Sequence, residues 1–89
     1  RHEGGAAFAA VEACFTTDRP VVVFTTAGPG LTNSLTGLLA GRGEGAKVIL
    51  ISACTSAAQR GRWAIQETST YTIPQAGIFT PGTLFNYAI

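Results

Sequence analysis

Two features of this chain could do chemistry: a carboxylate near its start, Glu3, and the stretch Thr25-Thr26-Ala27-Gly28-Pro29-Gly30-Leu31-Thr32-Asn33. The stretch follows an apolar run, Val21-Val22-Val23-Phe24, that reads as a buried strand. It leads into residues 31–40, which read as a helix ending near Gly41. Two glycines and a proline therefore occupy a strand-to-helix turn at the carboxyl end of a strand, where open α/β sheets bind ligands. Gly28 and Gly30 let a ligand approach the backbone closely, and Pro29 stiffens the turn. The amides that open the helix favour an anion or an acceptor atom. The turn matches neither the GxGxxG dinucleotide fingerprint nor the GxxxxGK[ST] phosphate loop. On its own it leaves two readings open: a ligand cradle, or a tight turn that only positions a helix.

Carboxylates are scarce: Glu3, Glu12, Asp18, Glu44 and Glu67. Asp18 and Glu44 read as solvated loop residues, and Glu12 as an exposed or paired residue of a first helix. Glu3 opens that helix. If a strand precedes it, Glu3 sits on the same sheet edge as Gly28-Pro29-Gly30. Partial burial there would raise its pKa, whereas a plain helix-start carboxylate would have its pKa lowered by the dipole. His2 has no Ser or Cys partner at a recognisable spacing and reads as structural. Gln66 could reach over a site from the loop before it.

The elements that must position these groups alternate. Residues 3 to about 17 read as a helix whose alanines suit close packing on a sheet. Gly4 and Gly5, poor helix formers, imply a close approach by a ligand or a backbone. Thr17-Asp18-Arg19-Pro20 and Gly43-Glu44-Gly45 read as loops. Val48-Ile49-Leu50-Ile51-Ser52-Ala53 reads as a second strand. Both strands are unalternating and β-branched, as parallel strands covered on both faces are. The fold class is α/β, a parallel sheet flanked by helices with right-handed crossovers. Residues 54–63 read as a polar loop able to lie over a site. From Ala64 the pattern is irregular, punctuated by Pro74, Gly77, Pro81 and Gly82.

With 89 residues, 46% hydrophobic, 12% charged and a net charge of +1, the composition is that of one globular domain at most. So few charges imply a surface meant to be covered. The absence of Met and the start at Arg1 read as a piece of a longer polypeptide. The charge gives no footprint for nucleic acid, and the apolar runs are too short to span a bilayer. No secretory leader is evident. Cys14 and Cys54 lack metal-ligand spacing and read as free, buried thiols of a reducing compartment, hence a cytoplasmic protein. A single His and two Cys argue against a zinc site.

Three blocks occur in order: Arg1-His2-Glu3-Gly4-Gly5-Ala6, then Thr25 to Asn33, then Gly61-Arg62-Trp63-Ala64-Ile65-Gln66-Glu67. Together they resemble the pyrimidine-binding domain of thiamine-diphosphate-dependent enzymes of the acetolactate synthase-like group, where the blocks read roughly RHEQGA, T-[ST]-GPG-x-TN and G-x-x-A-F-Q-E. The resemblance covers nearly the whole chain and about half of such a domain. It implies that residues 1–89 form a fragment of a single pyrimidine-binding domain, lacking the first strand-helix unit and the diphosphate-binding domain that holds Mg²⁺.

The resemblance assigns Glu3 the central role: hydrogen bonding to N1′ of the aminopyrimidine, which promotes loss of the C2 proton of the thiazolium. Sharing a proton in this way needs a carboxyl group with a raised pKa. Thr26, Gly28, Pro29, Gly30 and Asn33 match positions on the pyrimidine side of the pocket, and Gln66 matches one facing a 2-oxo acid or related carbonyl substrate. The implied cofactors are thiamine diphosphate and Mg²⁺, with FAD left open. The implied partners are the rest of its own polypeptide and a second identical subunit. The sequence departs from the group in several places. Pro81-Gly82-Thr83-Leu84 comes late and has Leu84 where a lysine is expected. Lys47 stands for a proline, and Val11 for a glutamate, with Glu12 displaced by one. These departures leave cofactor activation intact and broaden the chemistry to a carboligase, lyase or decarboxylase. The competing expectation is a non-catalytic α/β cofactor- or nucleotide-binding module that keeps the turn as scaffold, or an interaction domain whose low charge marks an interface.

Overall fold

The computed structural model describes residues 2–68 and 77–78. Arg1 of the first block, Pro74 and the Pro81-Gly82-Thr83-Leu84 segment lie outside the described residues. The order is α1 (Glu3–Thr17), β1 (Val21–Thr25), α2 (Pro29–Glu44), β2 (Val48–Ser52) and a short 3-10 turn at Ala57–Gln59. β1 and β2 pair in parallel, from Val21 opposite Val48 to Thr25 opposite Ser52, and α2 is the crossover between them.

The helix α1 starts where expected. His2 is its N-cap, with the ring Nδ1 accepting the Gly4 N–H at 3.1 Å. This is the structural role the sequence assigned to His2, filled by an imidazole where Ser or Asp is commoner. The chain leaves α1 through Asp18, which holds a left-handed φ of 52°. Pro20 then leads into β1.

The helix α2 is longer than its pattern predicts. It begins at Pro29, whose fixed φ suits the first helical position. It runs through Gly41 and Gly43 to Glu44, so Gly43 and Glu44 belong to the helix and not to a loop. Gly45 ends it at φ 81°, donating to Arg42 O while Ala46 donates to Gly41 O at 2.8 Å, the pair of bonds of a Schellman cap. Gly37 and Gly41 survive inside the helix because α1 needs the space, whereas Gly43 faces nothing within 4 Å. A Cβ on Gly37 would come within 2.6 Å of Ala7 Cβ, and one on Gly41 within 2.5 Å of Val11 Cγ2. Close helix approach outweighs the low helical propensity of glycine here.

Gly4 meets Asn33, Ala7 meets Gly37 and Val11 meets Gly41, so the two helices run in the same direction. Both N-termini therefore stand at the edge where β1 and β2 end. The core between helices and sheet is small: Ala7, Ala10, Val11, Cys14, Val23 and Leu31. The Cys14 thiol accepts the Lys47 N–H at 3.2 Å, tying α1 to the start of β2.

The expectation that both sheet faces are covered does not hold among the described residues. Burial alternates along each strand, and Val22, Phe24, Ile49 and Ile51 are exposed. α1 and α2 lie on the opposite face, and nothing described packs on this one. Both cysteines are free thiols, Cys14 buried and Cys54 exposed, so the expected burial holds for the first alone.

Candidate functional site

Three structural elements meet at the carboxyl edge of the sheet. The first is the N-terminus of α1, which carries Glu3. The second is the turn from Thr26 to Gly30, and the third is the loop that leaves β2. Parallel α1 and α2 direct two positive dipole ends at this edge, a favourable setting for a carboxylate.

Glu3 is half-buried. Its Oε2 accepts a hydrogen bond from Asn33 Nδ2 at 3.3 Å, across the helix pair. Its Oε1 lies 3.6 Å from the point a Cβ on Gly30 would occupy. That same Cβ would collide with Thr26 Oγ1. Gly30 is thus bare because Thr26 Oγ1 fills the space a side chain would need, with Glu3 in ordinary contact beside it. Gly4 is also constrained, since a Cβ there would lie 3.1 Å from Asn33 O, while Gly5 has nothing within 4 Å. The close approach inferred for the glycine pair is real at Gly4 alone.

The pKa of Glu3 is lowered, not raised. A hydrogen bond from its own backbone N–H is the main cause, followed by the Asn33 amide; slight desolvation opposes both, and the nearby His2 lowers it further. The expected burial is not supplied by the residues around it. Within this chain Glu3 is an ionised acceptor.

Gly28 carries φ 67°, which excludes most side chains. Its carbonyl accepts the Leu31 and Thr32 N–H groups at 3.0 and 3.1 Å. Pro29 has no N–H. So of the positions opening α2, only the Gly30 amide is not committed to that carbonyl, and the expected crown of anion-binding amides is reduced to one. The turn is instead tied to the sheet: Ser52 Oγ donates to Thr26 O at 3.3 Å, and Ala53 N–H to Thr25 O at 3.1 Å.

From Ser52 the chain loops out and returns over the turn. The part that lies against it is Gln66, the residue the sequence suggested could reach over a site. A Cβ on Gly28 would lie 3.0 Å from Gln66 Cβ and 3.1 Å from Gln66 O. Gln66 itself takes a left-handed φ of 57°. The structure therefore brings Glu3, Thr26, Gly28, Gly30, Asn33 and Gln66 into one connected set, with Pro29 between the two glycines.

Sequence reasoning missed how the loop is held. Thr55 N–H donates to Thr68 Oγ1 at 2.9 Å and Thr68 N–H to Thr55 Oγ1 at 3.0 Å, closing its base. Glu67 is buried, and its Oε1 accepts the Gly61 N–H. The Gln66-Glu67 pair is the one signal the sequence carries for it. Among the described residues no group of His, Cys, Asp and Glu could hold a metal ion. No described helix is long and apolar enough to cross a membrane.

Comparison with known proteins identifies relatives of this sequence. The family model described as thiamine pyrophosphate enzyme, N-terminal TPP binding domain, matches residues 1–73. The acetolactate synthase isozyme 1 large subunit of Escherichia coli (strain K12) is 36% identical over 89 residues, which are all of this chain and 15% of that protein. An acetolactate synthase of Bacillus subtilis (strain 168) is 34% identical over the same 89 residues, again 15% of its length.

Proposed function

This chain belongs to the thiamine pyrophosphate enzyme family, as an N-terminal TPP-binding domain, and from that premise we propose that the whole protein is a carboligase acting on 2-oxo acids, with Glu3 as the cofactor-activating carboxylate. Lyase or decarboxylase chemistry on related carbonyls is the neighbouring outcome. The carboligase is preferred because both relatives are acetolactate synthases. A match to a TPP-binding domain does not favour the non-catalytic module. The observation that carries the proposal is the position of Glu3: a carboxylate on the turn edge, oriented by Asn33 Nδ2 at 3.3 Å and 3.6 Å from the Cβ site of Gly30.

These residues fit thiamine diphosphate. Gly28 and Gly30 leave the turn without side chains beside an ionised acceptor, as a flat heterocycle requires. When bound, the cofactor supplies an electron sink for a carbanion formed next to a carbonyl. The chain's own part is positional. Asn33 holds the Glu3 carboxylate at the turn, where it can share a proton with a bound base. Thr26 and Pro29 shape the wall of the turn, and Gln66 stands over its mouth toward the substrate. Covering Glu3 with cofactor and polypeptide would desolvate it and move its pKa upward from the lowered value it has here.

Mg²⁺ would be held by a diphosphate-binding part outside residues 1–89. A second identical subunit would face this edge, a reading supported by the apolar surface left exposed. The two free thiols support a cytoplasmic location. Gly30→Val tests the cradle. In the whole protein the side chain collides with Thr26 Oγ1 and should lower thermal stability; under conditions where the variant stays folded it should also weaken thiamine diphosphate binding more than tenfold in calorimetric titration with Mg²⁺. An unchanged cofactor affinity in the folded variant would make the turn a scaffold only.

A further inference from the structure

The loop between β2 and Thr68 holds an arrangement that would not persist by itself. Gly61, Trp63 and Gln66 all have left-handed backbone, with φ of 77°, 57° and 57°. For tryptophan and glutamine that conformation is costly and persists only when its surroundings over-determine it. Trp63 and Ile65 are 81% and 93% exposed, so apolar packing does not impose it. What the loop has is a polar frame. The reciprocal Thr55–Thr68 bonds fix its base, Arg60 Nε donates to Thr55 O at 3.1 Å, and Glu67 N–H donates to Ala64 O at 3.1 Å. At its centre is Glu67, 5% exposed, with Oε1 on the Gly61 N–H. A buried carboxylate is costly unless hydrogen-bonded, and such bonds to a charged acceptor are the strong ones.

The geometry points to Glu67 as the positioning residue of this site: by gripping Gly61 it draws the loop together and seats Gln66 against Gly28, and so sets how the mouth of the turn receives the substrate. The second half of the statement rests on the thiamine diphosphate reading; the first does not. Gln66 is adjacent in sequence, and its Cα, Cβ and O all lie within 3.3 Å of the Cβ site of Gly28. Releasing Glu67 lets the left-handed residues relax, and Gln66 then leaves the turn.

The whole protein tests both halves. Arg60 and Arg62 are exposed loop residues, so trypsin cleavage after them reports loop opening. Glu67→Ala should be cleaved there roughly tenfold faster than wild type, and Glu67→Gln, whose amide oxygen still accepts the Gly61 N–H, within about threefold of it. With thiamine diphosphate and Mg²⁺ present and pyruvate as the probe, Glu67→Ala should raise KM for pyruvate roughly tenfold, with the cofactor Kd unchanged, and Glu67→Gln should restore it. Should Glu67→Ala not fold, Glu67→Asp, which withdraws the acceptor by one methylene, takes its place with the same expectation. Wild-type cleavage rates in the alanine or aspartate variant, or a glutamine variant as open as alanine, overturn the proposal. So does faster cleavage with an unchanged KM. A wild-type protein that neither binds thiamine diphosphate nor consumes pyruvate refutes the functional reading instead, and the cleavage rates still decide the role of Glu67 in the loop.

Discussion

The two faces of the β1–β2 sheet are made of the same kinds of residue and meet different fates. On one face Val23 is buried beneath α1 and α2. On the other, Val22 and Phe24 stand opposite Ile49 and Ile51, all exposed. The strands do not cause the difference; the helices do. α1 and α2 approach each other through Ala7, Gly37, Val11 and Gly41. That close approach keeps both helices on one face, with their N-termini at one edge. The site lies at that edge, so the small residues far from Glu3 are what deliver Glu3 to the turn.

The largest effect should follow from breaking the covered face. Gly37→Ala puts a methyl group 2.6 Å from Ala7 Cβ and 3.0 Å from Phe8 N. It should cost about 3 kcal/mol in urea unfolding of the whole protein. Gly43, in the same helix, has nothing within 4 Å. Gly43→Ala should stabilise by about 0.5–1 kcal/mol. Losses at both positions would show that helix geometry, and not the α1 contact, sets the need for glycine.

The open face should respond next. A contiguous patch of four large apolar side chains marks a surface covered in the assembled protein. Phe24 is 73% exposed among the described residues. Phe24→Ser should nevertheless destabilise the whole protein by about 2 kcal/mol. A change within about 0.5 kcal/mol is what an exposed side chain would give.

A smaller effect separates the edge from both faces. Asn33→Ala removes the amide that holds Glu3 Oε2. The Glu3 pKa, lowered by its own backbone N–H and by Asn33, should rise toward the ordinary carboxylate range in an NMR titration. The sign for stability follows from the direction of the shift. With the folded-state pKa depressed, the Glu3 contribution is fully present above its ordinary value and is lost as pH falls through the lowered one. Asn33→Ala should shrink that acid-side loss. An unmoved Glu3 titration would mean that Asn33 does not orient the carboxylate.

Much of this was legible in residue types. Val21 to Phe24 declared a strand, and the glycines at 28 and 30 with Pro29 between them declared the turn. The apolar character of both strands was equally clear, yet it could not say that one face is left open, because coverage depends on where the helices go. The length of α2 was hidden for a related reason. Gly41 and Gly43 read as helix breakers until Val11 is seen to occupy the space beside Gly41. Glu67 was illegible because its burial depends on a loop with no period. The lowered Glu3 pKa comes first from its own backbone N–H, the helix-start alternative the sequence offered, and then from Asn33, thirty residues away, which the sequence did not show.

The central claim is that Glu3 activates thiamine diphosphate from the edge of the turn. Exchange of the cofactor C2 hydrogen for deuterium, followed by NMR in the whole protein with Mg²⁺, tests it most directly. Glu3→Gln keeps the side-chain shape and an acceptor for Asn33 Nδ2, so the fold should persist. General acid-base catalysis by a positioned carboxyl group contributes roughly 10²–10⁴-fold, and exchange in the variant should slow by about that factor. A Glu3→Gln protein that binds the cofactor and exchanges C2 as fast as wild type would contradict the account.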